Sequence, residues 1–170
     1  MQLRNFLFTI ALFILPLLSH AQTFSGTGGN ITNGATIQNC FTINATGLPT
    51  AINSSFGLAQ LCLTITHPNT DELEILLTAP DGTIVPISIQ NGGSGNNYSN
   101  TCFTGTAANH IKFGSSPFNG TYLPEGYLGA VNNGQNPNGA WRLCITDRRT
   151  ASNVGTLNSW NLTFNNTPAP

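Results

Sequence analysis

"NGAWRLCITDRRTASNVGTLNSW", residues 138–160, holds two tryptophans and the core of two alternating apolar runs. Trp141, Leu143 and Ile145 alternate with Arg142, Cys144 and Thr146; Trp160, Leu162 and Phe164 keep the same rhythm. A period of two puts such residues on one face of a strand, because successive strand side chains point to opposite faces. Both tryptophans are therefore expected in a core, each on the inward side of its own strand. Asn138-Gly139 sets the opening turn, Asp147 ends the first strand, and Gly155 helps turn the chain into the second. Leu157 is out of phase with Trp160, Leu162 and Phe164, which predicts a bulge or a late strand start between them.

The same alternation recurs upstream. Leu61, Leu63 and Ile65 form one run, and Leu73, Ile75 and Leu77 another. No stretch beyond the N-terminus sustains a helical period, because Gly, Pro and Asn interrupt it. Pro80-Asp81-Gly82 between two apolar runs marks a hairpin, and Asn-Gly pairs begin at Asn33, Asn91, Asn119, Asn133 and Asn138. Gly114 to Gly139 alternates weakly and reads as an ordered loop excursion. Short strands with frequent turn signals imply an all-β chain, a jelly-roll-like antiparallel β-sandwich. An open barrel fits the pattern as the alternative.

The first residues carry a different signal. Arg4 precedes an apolar run from Phe6 to Leu18, and Ser19-His20-Ala21 places small residues where a signal peptidase reads them. Residues 1–21 are thus expected to be a secretory signal peptide, cleaved between Ala21 and Gln22. The apolar run, about 13 residues, falls short of the roughly 20 that span a bilayer. No Cys stands at the cleavage point to take a lipid anchor. The reading is a secreted, extracellular chain with no membrane attachment after cleavage.

Residues 22–170 have the length of one domain. They carry four cations (Lys112, Arg142, Arg148, Arg149) against six carboxylates, a net charge of −2. Nothing basic is clustered enough to attract a phosphate backbone, so no nucleic-acid partner is expected. Cys40, Cys62, Cys102 and Cys144 lack the paired spacing of a zinc site. In an exported chain an even count favours disulfides, and four cysteines allow three connectivities. Cys40, Cys62 and Cys144 sit out of phase with their strands' apolar residues, so bridges are expected across outer faces, the pairing left open.

Candidate chemistry is sparse. His67 ends a strand before Pro68, which suits a turn, and His110 has no acidic neighbour in sequence. Ser94 in "NGGSGNN" misses the nucleophile-elbow pattern because Asn96 stands where glycine is needed. Asp71, Glu72 and Glu74 are close in sequence, but general acid–base work needs a partner carboxylate at a set distance. Acidic residues in loops between strands can instead hold calcium, which takes six to eight oxygen ligands.

Four segments together resemble a known family: "ITHPNTDELEILLTAPDGT" (65–83), "NGGSGNNYSNTCF" (91–103), "PFNGTYLPEGYL" (117–128) and "NGAWRLCITD…GTLNSWNLTF" (138–164). They look like the P domain, or P/Homo B domain, that follows the subtilisin-like catalytic domain of proprotein convertases and also occurs in secreted bacterial proteins. The resemblance implies a lead-in over 22–36, a P domain over 37–165 and a short tail over 166–170. It also implies a jelly-roll-like sandwich that is not itself catalytic but packs on and supports a serine protease domain. No subtilisin-type Asp, His or Ser motif is present in the sequence. The calcium candidates of this chain are Asp71, Glu72 and Asp147, the last retained at the strand end, whereas other carboxylates that the resemblance associates with calcium fall where this chain has none. The chain departs from the family at Asp71-Glu72-Leu73, where Gly-Asp-Leu is common, and at Asn96, Thr104 and Gly105, where acids are common. The resemblance further implies the pairings Cys62–Cys102 and Cys40–Cys144.

Three function classes follow. The first is a secreted, non-catalytic accessory or interaction module for a separately encoded protease or other cell-surface protein, with no cofactor beyond calcium. The second is a glycan-binding or adhesion module, for which Tyr98, Tyr122 and Tyr127 would supply stacking faces. The third is a hydrolase, which needs a His within hydrogen-bond reach of a nucleophile.

Overall fold

The computed structural model describes residues 21–149 and 153–170. The expected leader over 1–21 lies outside them, apart from Ala21. Nine strands run through the described residues: β1 (Gln22–Ile31), β2 (Gln38–Ala45), β3 (Gly57–Thr66), β4 (Leu73–Thr78), β5 (Ile84–Ile89), β6 (Tyr98–Thr104), β7 (Phe118–Tyr122), β8 (Gly139–Asp147) and β9 (Gly155–Asn165). They form a five-stranded sheet, order β1-β9-β3-β6-β7, and a four-stranded sheet, order β2-β8-β4-β5. The two sheets form an all-β sandwich, not a closed barrel.

The two strands of residues 138–165 are not a hairpin. β8 lies in the smaller sheet and β9 in the larger, so their tryptophans reach the core from opposite layers. Trp141 and Trp160 are 0% and 1% exposed. The Trp141 ring meets Phe164 of the facing sheet edge-on, with centroids 5.4 Å apart. Burying two indoles stabilises the sandwich by roughly 2–3 kcal/mol each. The phase break at Leu157 is a β-bulge: Thr64 pairs with Ser159 and Ile65 with Leu157, so Asn158 is the extra residue. The bulge lets Leu157 and Trp160 both face inward, where both are buried.

Pro80-Asp81-Gly82 turns β4 into β5. Gly82 has φ +89°, the region only glycine enters freely, and Ala79 pairs with Thr83 across the turn. Two elements escaped the alternation. β1 is rich in glycine and small polar residues, yet it pairs with β9 along its length. Gly26 makes this possible, because a Cβ there would stand 2.1 Å from Trp160 Nε1. Residues 114–139 hold β7, which runs parallel to β6, together with a short 3-10 turn at Leu128–Val131. Gly120, at φ +83°, and a register shift opposite Ser99 and Thr101 break the period of two that would have revealed β7. The final residues also pack: Ala169 is buried and donates its N–H to the Leu58 carbonyl, 2.9 Å.

One disulfide lies in each sheet. Cys40 and Cys144 face each other across β2 and β8, and Cys62 and Cys102 across β3 and β6. Both bridges join neighbouring strands on the face opposite the core residues.

Candidate functional site

The chain's charge collects at one end of the sandwich, where β3 stops and β8 arrives. Pro68 follows β3 and has no N–H to extend the ladder. A 3-10 turn at Thr70–Glu72 then carries Asp71 and Glu72 to the first residue of β4, Leu73, which pairs with Asp147 at the end of β8. Asp71 and Glu72 of the turn thus meet Glu74 of β4, Asp147 at the end of β8, two arginines and a histidine at this end.

At the centre are three buried groups, His67, Glu72 and Asp147, each with one polar atom within 4.8 Å of the other two. His67 Nε2 stands 3.2 Å from Asp147 Oδ2. His67 Nδ1 stands 2.8 Å from the Asn69 carbonyl and 3.2 Å from the Asn69 N–H. Asp147 Oδ1 accepts from the Arg149 backbone N–H at 3.1 Å. Asn69 donates to Glu72 Oε1 at 3.0 Å, and Asn153 reaches both Glu72 oxygens at 3.4 and 3.3 Å. Around this core the Arg149 guanidinium lies 3.4 Å from Asp71 and 4.0 Å from Glu72, while Arg148 grips Glu74. Gly155 is the hinge that lets β9 pass: a Cβ there would be 2.5 Å from the His67 ring.

Of the three calcium candidates, Glu72 and Asp147 converge with His67, while Asp71 lies beside Arg149. Calcium asks for six to eight oxygen ligands. Here the oxygens of Glu72 and Asp147 that converge are met by an imidazole, two amides and a backbone N–H, and an arginine already sits beside Asp71 and Glu72. Protein nitrogens thus hydrogen-bond the carboxylates of Glu72 and Asp147, and Arg149 is the cation beside Asp71 and Glu72. The cluster cannot act as a general base. That role needs a ring nitrogen within reach of a substrate proton, whereas both His67 nitrogens are committed and the ring is fully buried.

The other sequence candidates are dispersed. His110 accepts the Lys112 N–H at Nδ1, 3.1 Å, and begins a 3-10 turn away from the charged cluster. Ser94 is exposed in a turn flanked by Gly92 and Gly93, both at positive φ. Tyr98 is no platform: it is buried, stacks on Phe118 with centroids 4.9 Å apart, and bonds Ser88 Oγ at 2.9 Å. Burial pushes its hydroxyl pKa above the ordinary tyrosine value. Asn91 extends that network from Ser88 to Glu125, 3.1 and 2.8 Å. Tyr122 is half-buried and Tyr127 is exposed. Sequence reasoning missed the partnership of His67 with Asp147, because 80 positions separate them. The available signal was the pairing of a histidine just past one core strand with an aspartate ending another.

The family model of the proprotein convertase P-domain matches residues 58–164. Among curated proteins nothing matches. Among solved structures, a serine protease of Aeromonas sobria is similar at 19% identity and a TM-score of 0.48, over 92% of this chain and 28% of that one. The Aeromonas sobria serine protease in complex with its chaperone is similar at 19% identity and a TM-score of 0.48, over 86% and 26%. The chain thus spans little more than a quarter of the length of either protease chain.

Proposed function

Because the chain belongs to the proprotein convertase P-domain family, we propose that it is a secreted, non-catalytic module that associates with a separately encoded subtilisin-like protease or another cell-surface protein. The observation that carries this reading is the state of His67. Among the described residues, the histidine that meets carboxylates is sealed from solvent and has both nitrogens bonded within the fold. The charged cluster is then a structural knot that fixes the loops at one end of the sandwich. Export is supported by the leader-like first residues, by two disulfides, and by β1 beginning at Gln22, the residue after the expected cleavage point.

The test uses the purified exported protein. It should begin at Gln22 by N-terminal sequencing, leave fluorogenic peptides intact, and capture a protease or surface protein from the medium of the secreting organism. Peptide turnover that a serine-directed inhibitor blocks, or capture of polysaccharide alone, would overturn the reading.

A further inference from the structure

The two most exposed aromatic rings among the described residues line two neighbouring cavities. Phe113 is 84% exposed and Tyr127 is 65% exposed. Phe113 lines a cavity of about 630 Å³ and Tyr127 a neighbouring one of about 280 Å³, and both cavities share His110 and Leu123 as a common wall. Tyr122 adds a half-buried ring to the larger cavity. The Phe113 ring meets His110 at a centroid distance of 5.8 Å, and with Tyr122 it gives the larger cavity two aromatic faces, an apolar patch of the kind that marks ligand-binding surfaces.

The polar lining narrows the chemistry. Among the described residues no carboxylate, lysine or arginine lines the larger cavity, and Glu125 is the only such residue in the smaller. Asn109, Asn119 and Ser115 supply uncharged donors and acceptors at the rim, all three exposed. Elsewhere asparagines serve the fold: Asn132 donates to the Leu58 and Ala169 carbonyls, and Asn138 clamps Leu48. The rim amides have no such duty. An amide offers two donors and an acceptor side by side, which suits adjacent hydroxyls, while a flat ring face attracts weakly positive C–H groups. His110 Nδ1 accepts from the Lys112 N–H, which leaves Nε2–H as a further donor. A strand-adding peptide fits less well, because the backbone beside Leu123 is already paired: Leu123 donates to Asn109 O, and Ile111 donates to Leu123 O.

We propose that the two cavities bounded by Phe113, His110, Tyr122 and Tyr127 bind a neutral oligosaccharide, its sugar faces on the two exposed rings and its hydroxyls on Asn109 and Asn119. This goes beyond the accessory role and does not depend on it. The test is calorimetric titration of the disulfide-bonded protein with cellohexaose, xylohexaose, mannohexaose and chitohexaose, alongside capture of a subtilisin-type protease. The expected result is that at least one hexaose binds, and that Phe113→Ala and Tyr127→Ala each weaken it by about tenfold or more. Both rings are exposed, so melting temperatures should not move, and Ile84→Ala, an exposed apolar side chain outside the two cavities, should bind as the parent does. Absence of binding to all four sugars, or binding that Phe113→Ala leaves unchanged, overturns the proposal. So does a Phe113→Ala variant that loses protease capture while no sugar binds, an outcome that would leave the accessory reading standing.

Discussion

His67 Nε2 lies 3.2 Å from Asp147 Oδ2, and neither side chain is exposed to solvent. The contact ties the residue just past β3 to the end of β8, and so couples the two sheets through a polar pair at the charged end. Removing one partner leaves a buried polar group stranded, a change that typically costs about 3–5 kcal/mol. Asp147→Ala should therefore lower the urea midpoint sharply, and Asp147→Asn, which keeps an acceptor, should lower it less. A midpoint unchanged in Asp147→Ala would show that the pair contributes nothing.

Calcium should not stabilise this protein. Arg149 already stands beside Asp71 and Glu72, at 3.4 and 4.0 Å. A ligand present at a hundred times its dissociation constant would raise stability by about 2.7 kcal/mol. The expected melting curves with millimolar calcium and with a chelator superimpose, and a clear rise with calcium would contradict the ion-pair reading of the cluster.

The tryptophans should respond differently to the same substitution. Trp141 Nε1 donates to the Pro137 carbonyl at 2.9 Å. Trp160 Nε1 is buried against Gly26 and meets no acceptor among the described residues. Both Trp→Phe changes remove similar volume, but only Trp141→Phe also strands a carbonyl. Trp141→Phe should thus cost about 1 kcal/mol more in chemical denaturation than Trp160→Phe. Equal losses would mean that the Trp160 indole also has a partner.

Alkali should find Tyr98. Burial raises its pKa in the folded protein, while the unfolded chain titrates near the ordinary value of about 10. The folded state therefore holds this proton more tightly. The stability it contributes is complete below about pH 10 and falls as pH rises from there toward the higher folded pKa. Tyr98→Phe should flatten that alkaline decline while lowering stability at neutral pH through the lost bond to Ser88. A decline that persists unchanged in Tyr98→Phe would assign it to other groups.

How much of this was legible in the sequence depended on local repetition. β4 and most of β9 bury every second residue, and in β3 and β8 the large apolar residues recur at the same period although neighbours between them are buried too, so the period of two announces all four. Even the bulge at Asn158 left a trace, in the phase of Leu157. β1 and β7 left little, because what qualifies them is a neighbour's shape: the Trp160 ring needs a glycine at position 26, and β7 turns on Gly120. At the charged end, Asp71, Glu72 and Asp147 stood out as acids, but what they bond was hidden. The partners come from other strands and from main-chain groups, which no spacing rule connects. Cysteine parity gave the faces of the bridges, whereas the family resemblance, not the spacing, supplied a pairing.

The place of β9 in the larger sheet has a consequence for how the molecule is made. The last strand in the sequence lies between β1, the first, and β3. A chain emerging N-terminus first therefore has its first edge and its middle ladder waiting on either side of a gap until the final residues arrive. β9 is thus the piece that closes the larger sheet, joining β1 to the β3-β6-β7 ladder, so a change that weakens it opens that sheet on both sides at once.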